Sequence, residues 1–146
     1  MLTIHAPAKL NLLLRILGRR PDGYHELETI FERIDLADEL TFEPQPDALT
    51  LTCDEPSLPL DETNLVRRAA RLLQQTSGTR RGAQIHLTKR IPIAAGLGGG
   101  SSDAAATLVG LSRLWGLQTS PEQLSELGAK LGSDVWGCGP PTLIPA

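Results

Sequence analysis

Aromatic side chains are scarce: two tryptophans, two phenylalanines and one tyrosine, Tyr24, in 146 residues. A core must therefore come from Leu, Ile, Val and Ala, which a hydrophobic fraction of 40% can supply. Cysteine is equally rare. Cys53 and Cys138 stand alone, without metal-ligand spacing, and read as reduced cytosolic thiols. No apolar run approaches the length needed to span a bilayer. Met1 to His5 carries no charged region ahead of a long apolar segment, so no signal peptide is expected. There is no basic excess either. A formal net charge of -3 argues against a nucleic-acid partner held by bulk electrostatics. These absences predict one cytoplasmic domain with neither membrane nor nucleic acid as its partner.

What the chain does have is glycine in one place. Pro92-Ile93-Ala94-Ala95-Gly96-Leu97-Gly98-Gly99-Gly100-Ser101-Ser102 holds four glycines in five positions. Glycine loses the most entropy on ordering, so the run is not expected inside a strand or helix. It lets backbone N–H groups approach a ligand with no Cβ in the way. A helix-like run, Ala104 to Val109, follows, and the helix is expected from about Ser102 to Leu114. A glycine turn opening a helix is a natural phosphate site, since first-turn N–H groups and the helix dipole both favour an anion. A Walker A loop is excluded because no lysine follows the glycines. The dinucleotide fingerprint fails because Ser101 stands where its third Gly or Ala belongs and no acidic residue follows at the distance a ribose needs. A flexible linker or plain helix cap is the competing reading, weakened by the amphipathic helix that follows.

The remaining elements follow from spacing. Thr3–Ala6 and Leu10–Leu17 read as strands broken by Pro7, which cannot donate to a ladder. The apolar run Leu12-Leu13-Leu14 suggests a strand covered on both faces. Arg19 to Gly23 carries turn chemistry, then Tyr24 and His25 open a strand to about Ile34. Asp38–Phe42 and Ala48–Cys53 look like a strand pair around Pro44 to Asp47. A helix from Asn64 to Gln75 is expected, capped by Thr63, with Arg67, Arg68 and Arg71 on its solvated face. Ala83–Lys89 alternates as a half-buried strand, with His86 on its polar face. Ser120-Pro121-Glu122-Gln123 opens a last helix that Gly132 stops.

Pro92 to Ser102 resembles the ATP-binding loop of the kinase superfamily named for galactokinase, homoserine kinase, mevalonate kinase and phosphomevalonate kinase. Ala6-Pro7-Ala8-Lys9-Leu10-Asn11-Leu12 and Arg20-Pro21-Asp22-Gly23-Tyr24-His25-Glu26-Leu27 resemble one branch, the 4-diphosphocytidyl-2-C-methyl-D-erythritol kinases. Gly132-Ser133-Asp134-Val135 is similar to a further signature of that family. The resemblance implies an α/β two-layer sandwich: a mixed sheet with helices on one face, like domain 2 of ribosomal protein S5. It implies ATP as co-substrate, with magnesium, held by Pro92 to Ser102. It implies phosphorylation of a substrate 2-hydroxyl in the non-mevalonate isoprenoid pathway. Asp134 becomes the catalytic base, Lys9 the active-site cation paired with it, and Asn11 a substrate contact. Tyr24 and His25 can hold a cytosine, one by stacking and one by hydrogen bonding at the base edge; the competing reading is a half-buried strand edge. No protein metal ligands can be read. Homoserine kinase is the runner-up.

The resemblance covers Thr3 to about Val135. Residues 1–135 are expected to be the family's N-terminal ATP-binding domain. The glycine- and proline-rich stretch 136–146 is expected to be neither strand nor helix and outside the family pattern, with the second domain absent. A nucleotide-binding remnant without turnover is therefore the alternative function.

Overall fold

The computed structural model describes residues 1–19, 21, 25–94, 96–132, 134–135 and 142–143, and only the backbone at 10–19, 25–34 and 142–143. Five strands form one mixed sheet. They are β1 (Leu2–Arg19), β2 (His25–Gln45), β3 (Leu49–Cys53), β4 (Gly82–Thr88) and β5 (Thr142–Leu143). Their spatial order is β3-β4-β2-β1-β5. Only the β3–β4 pair is parallel. Among the described residues three helices accompany the sheet: α1 (Leu65–Ser77), α2 (Gly99–Leu114) and α3 (Pro121–Leu131).

One face of the sheet makes the core. Ile4, Ala6, Leu40, Phe42, Leu51, Ala83, Ile85 and Leu87 are buried, while His5, Glu39, Thr41, Thr50, Gln84 and His86 between them are half-buried or exposed. That alternation is the mark of a sheet covered on one side. The helices supply the cover with Val66, Ala69, Leu73, Ala104, Leu108, Leu111, Leu124 and Leu127. The two-layer α/β architecture is thus as expected. Gly110 lets α2 sit close to the sheet, since a Cβ there would overlap the Phe42 ring. On the polar face, Thr52 Oγ1 lies 2.7 Å from His86 Nδ1.

Several elements differ from expectation. Pro7 does not break β1; it pairs with Ala37, and the register shifts between Pro7 and Lys9. An irregularity of this kind accommodates the missing N–H. Another shift falls between Asn11 and Leu13. A one-residue shift re-phases the side-chain alternation, so the apolar run there does not demand a strand covered on both faces. The expected pairing of β2 with β3 is wrong, because β4 lies between them. The two expected strands at 26–34 and 38–42 are one, β2.

Caps and ends also moved. Asn64, not Thr63, caps α1, accepting from the Val66 N–H at 2.8 Å. Thr63 instead donates its amide and hydroxyl to Asp61. Arg67 is only half exposed and donates to Leu60 O at 2.8 Å, and Arg71 pairs with Glu62. Gly99 and Gly100 belong to α2, which starts three residues earlier than expected. The entropy penalty is tolerable there because they occupy the first turn, with Gly98 as cap. Thr142 and Leu143, expected outside any strand, pair with His5 and Ile4. For α3 the reading held: Ser120 and Gln123 form a reciprocal capping box, Pro121 stands in the first turn and Gly132 ends the helix.

Candidate active site

The glycine loop bridges the end of β4 and the start of α2. Gly96 and Gly98 have φ of 75° and 69°, and Ala94 has φ of 59°. The backbone at Gly98 favours glycine, and a side chain there would also displace Lys9. Its φ is left-handed, and a Cβ would stand 2.7 Å from Lys9 Cε. The α2 N–H groups at Gly99, Gly100 and Ser101 precede the first intrahelical bond, Ser102 N–H to Gly98 O at 2.9 Å. They form the donor set expected at a helix start. Beside them opens a cavity of about 380 Å³. The loop lines it with Pro92, Ile93, Ala94, Gly96, Leu97, Gly98, Gly99, Gly100 and Ser101, the segment leading into α1 adds a second wall of Leu58, Pro59, Thr63, Asn64, Leu65 and Val66, and Leu87, Lys89 and Asp103 complete the lining. Asn64 ties that second wall together, because its amide also donates to Pro59 O at 2.8 Å. Ser102 is not among the lining residues, and Ala95 lies outside the described residues.

Lys9 reaches this corner from β1. Its N–H donates to Leu97 O at 2.9 Å, so strand and loop are joined through the backbone. Its stem packs on Gly98, and its ammonium lies 3.6 Å from Asp134 Oδ1, just past the end of α3. The Lys9 side chain is 12% exposed and that of Asp134 63% exposed. A carboxylate with access to solvent, held by a mostly buried cation, is equipped to take a proton from an incoming hydroxyl.

Two of the substrate-contact predictions, Asn11 and His25, fall on β1 and β2. Asn11 pairs with Phe31 and His25 with Arg19, both described as backbone only. Tyr24 lies outside the described residues.

Sequence reading missed a buried ionic cluster beneath the loop. Lys89 Nζ sits 2.6 Å from Asp38 Oδ2 and 3.1 Å from Asp103 Oδ2, with all three side chains at most 7% exposed. Asp38 Oδ1 accepts from the Arg90 and Ile91 N–H groups at 2.7 and 2.9 Å. Burial pushes the Asp103 carboxyl well above its ordinary range, helped by the Asp38 carboxylate and opposed by Lys89. Burial also works to lower the Lys89 ammonium, but Asp103 and Asp38 outweigh it and hold it above its usual value. One signal was available: Asp103 is a charged residue on a helix stretch of small apolar ones.

Residues 64–141 match the family model of the GHMP kinases N terminal domain. The chain belongs to the GHMP kinase family. Its curated relatives include the 4-diphosphocytidyl-2-C-methyl-D-erythritol kinases of Synechococcus sp. (strain CC9605) and Pseudomonas putida (strain W619), both 56% identical. These alignments cover 94% and 92% of this chain but 46% and 47% of those proteins. The chain thus spans about half the length of the curated relatives it matches. A crystal structure of 4-(cytidine 5'-diphospho)-2C-methyl-D-erythritol kinase is 44% identical with a TM-score of 0.78, over 91% of this chain and 47% of that one. A mevalonate kinase crystal structure, 19% identical with a TM-score of 0.67 over 94% and 48% of the two chains, shares the GHMP fold.

Proposed function

We propose that this domain serves a kinase that moves the γ-phosphoryl group of ATP to the 2-hydroxyl of 4-diphosphocytidyl-2-C-methyl-D-erythritol, in the non-mevalonate route to isoprenoids. The observation that carries the reading is the Lys9–Asp134 pair, drawn from opposite ends of the chain to 3.6 Å beside the glycine loop. Asp134 accepts the proton of the substrate hydroxyl. The freed oxygen attacks the γ-phosphorus, the bond to the bridging oxygen breaks, and ADP leaves. Lys9 holds both the carboxylate and the developing alkoxide. Such transfer depends on positioning and charge compensation more than on covalent help from the protein.

The cavity suits ATP in two parts. Leu58, Leu65 and Val66 offer an apolar wall for the base. The loop and α2 amides offer donors for the phosphates. Among the described residues no group of three or more His, Cys, Asp or Glu could hold a metal ion. A magnesium ion bound with the nucleotide would meet phosphate oxygens and water, and Ser101 is a hydroxyl residue lining the cavity beside them. Tyr24, His25 and Asn11 are assigned to the cytidyl substrate on the names of the relatives and the matching motifs. A cytoplasmic setting fits the two isolated cysteines.

ADP release is the test, with ATP and three acceptors in turn: the cytidyl substrate, homoserine and mevalonate. Preference for either of the latter overturns the substrate assignment. A second reading is nucleotide binding without turnover, for which the cavity beside the glycine loop would suffice. It predicts ATP binding by the 146-residue chain with no ADP formed from any acceptor.

A further inference from the structure

We propose that Lys89, Asp38 and Asp103 are positioning residues that fix the glycine turn and the start of α2 for a nucleotide's phosphates. The inference rests on the nucleotide reading of the cavity.

Stability does not explain the cluster. A buried ion group repays its desolvation poorly, and apolar replacements are often neutral or stabilising. Here the group is not even fully satisfied. Asp103 Oδ1 is buried at the cavity's edge with no hydrogen-bond partner among the described residues. That is a cost carried at the meeting point of β2, the end of β4 and the second turn of α2.

Placement does explain it. Asp38 pins the backbone of Arg90 and Ile91, the two residues that lead into Pro92. Lys89 joins that anchor to Asp103, four residues into α2. The Lys89 ammonium also lies 3.2 Å from where a Gly99 Cβ would stand, directly under the first turn. Both ends of the loop are thereby held by one cluster. A phosphate site made of backbone amides has no side chains to readjust, so its donors bind well only if the backbone is already in place.

The test titrates ATP and adenosine into three proteins: the 146-residue chain, Asp103→Asn, and the combined Asp38→Asn, Lys89→Met, Asp103→Asn variant. The combined variant removes every charge at nearly constant volume. It should melt close to or above the parent, bind adenosine as before, and lose about tenfold or more in ATP affinity, the scale of one hydrogen bond to a charged phosphate. Asp103→Asn keeps the Asp38–Lys89 pair and should lose less, in the same direction. Unchanged ATP affinity in the combined variant overturns the proposal, as does an equal loss of ATP and adenosine. If the combined variant does not fold, unchanged ATP affinity in Asp103→Asn overturns it. If the parent chain binds neither ligand, the nucleotide reading falls and takes this inference with it.

Discussion

The corner around the glycine loop and the hairpin of β1 and β2 are held in opposite ways. At the corner each segment is tied by a different neighbour. Asp38 holds the entry to the loop, Lys9 N–H holds Leu97, and Asp103 and Lys89 lock α2 from below. Along Lys9–Arg19 and His25–Arg33 the described sheet partners are only each other, because β4 reaches β2 only at Glu39–Gln45 and β5 reaches β1 only at Ile4 and His5. The register in this hairpin also shifts twice, between Asn11 and Leu13 and between Ile16 and Gly18. Under the proposed function, the difference would suit two recognition tasks. Phosphate is read by backbone amides, whose dihedrals must be fixed from outside. A nucleobase is read by side chains, which a hairpin can carry and exchange without disturbing the loop.

The sharpest break in the comparison is at the chemistry. In an enzyme preparation that turns over, Asp134→Asn and Lys9→Ala should each lower kcat by about 10²–10⁴-fold, the usual range for a positioned proton acceptor. ATP affinity should change little, because neither residue lines the cavity. An Asp134→Asn enzyme with near-normal kcat would show that the proton goes elsewhere.

Next in size is a contrast between two glycines of the loop. Gly98→Ala meets both a left-handed φ and the Lys9 stem at 2.7 Å; Gly96→Ala meets a left-handed φ and open space. Backbone strain alone is worth about 1–2 kcal/mol. Gly98→Ala should exceed that, and should also disturb the Lys9–Asp134 pair. Melting curves and ATP titrations on both variants check this; equal losses would mean that the contact with Lys9 carries no weight.

How legible this was in the sequence depended on distance along the chain. The cap of α3 could be read because Ser120, Pro121 and Gln123 act on one another within a single turn. Thr63 and Asn64 are both good caps in sequence, and only the fold decides which carbonyl turns helical. The β2–β3 pairing was misread because nothing local announces that β4, some thirty residues after β3, inserts between them. The Lys89–Asp38 contact joins residues 51 apart, and neither residue type signals burial. The Lys9–Asp134 pair was reached through family resemblance alone; no spacing rule relates residues at opposite ends of a chain.

The hairpin offers the third test. Tyr24→Ala should weaken the cytidyl ligand by about tenfold or more, since base–aromatic stacking is worth about 1–3 kcal/mol. His25→Ala should act in the same direction by leaving a base-edge group unpaired. ATP affinity should be unchanged in both. If titration shows the two ligands weakening together, hairpin and corner are not separable, and the base-recognition role of Tyr24 and His25 is wrong.

The smallest effect is a pH slope, and it belongs to the corner alone. Burial first, then the Asp38 carboxylate, raises the Asp103 carboxyl well above its ordinary value, against the pull of Lys89. The folded protein therefore holds that proton more tightly than the unfolded chain. The resulting contribution is complete below the ordinary carboxyl pKa of about 4 and is lost as pH rises through the folded value. Other carboxylates slope in their own directions, so the quantity to follow is a difference. Urea midpoints of the parent minus those of Asp103→Asn should decline steadily as pH is raised from about 4, because the asparagine has no proton to lose. The raised Lys89 ammonium works with the same sign but only at the alkaline end, beyond the usual lysine pKa. Tyr24→Ala should track the parent across the same interval. A parent and an Asp103→Asn variant that run parallel would mean that Asp103 is ionised in the folded state much as in the unfolded one. The carboxylate would then be fully compensated by Lys89, and its burial beneath the loop would carry no proton.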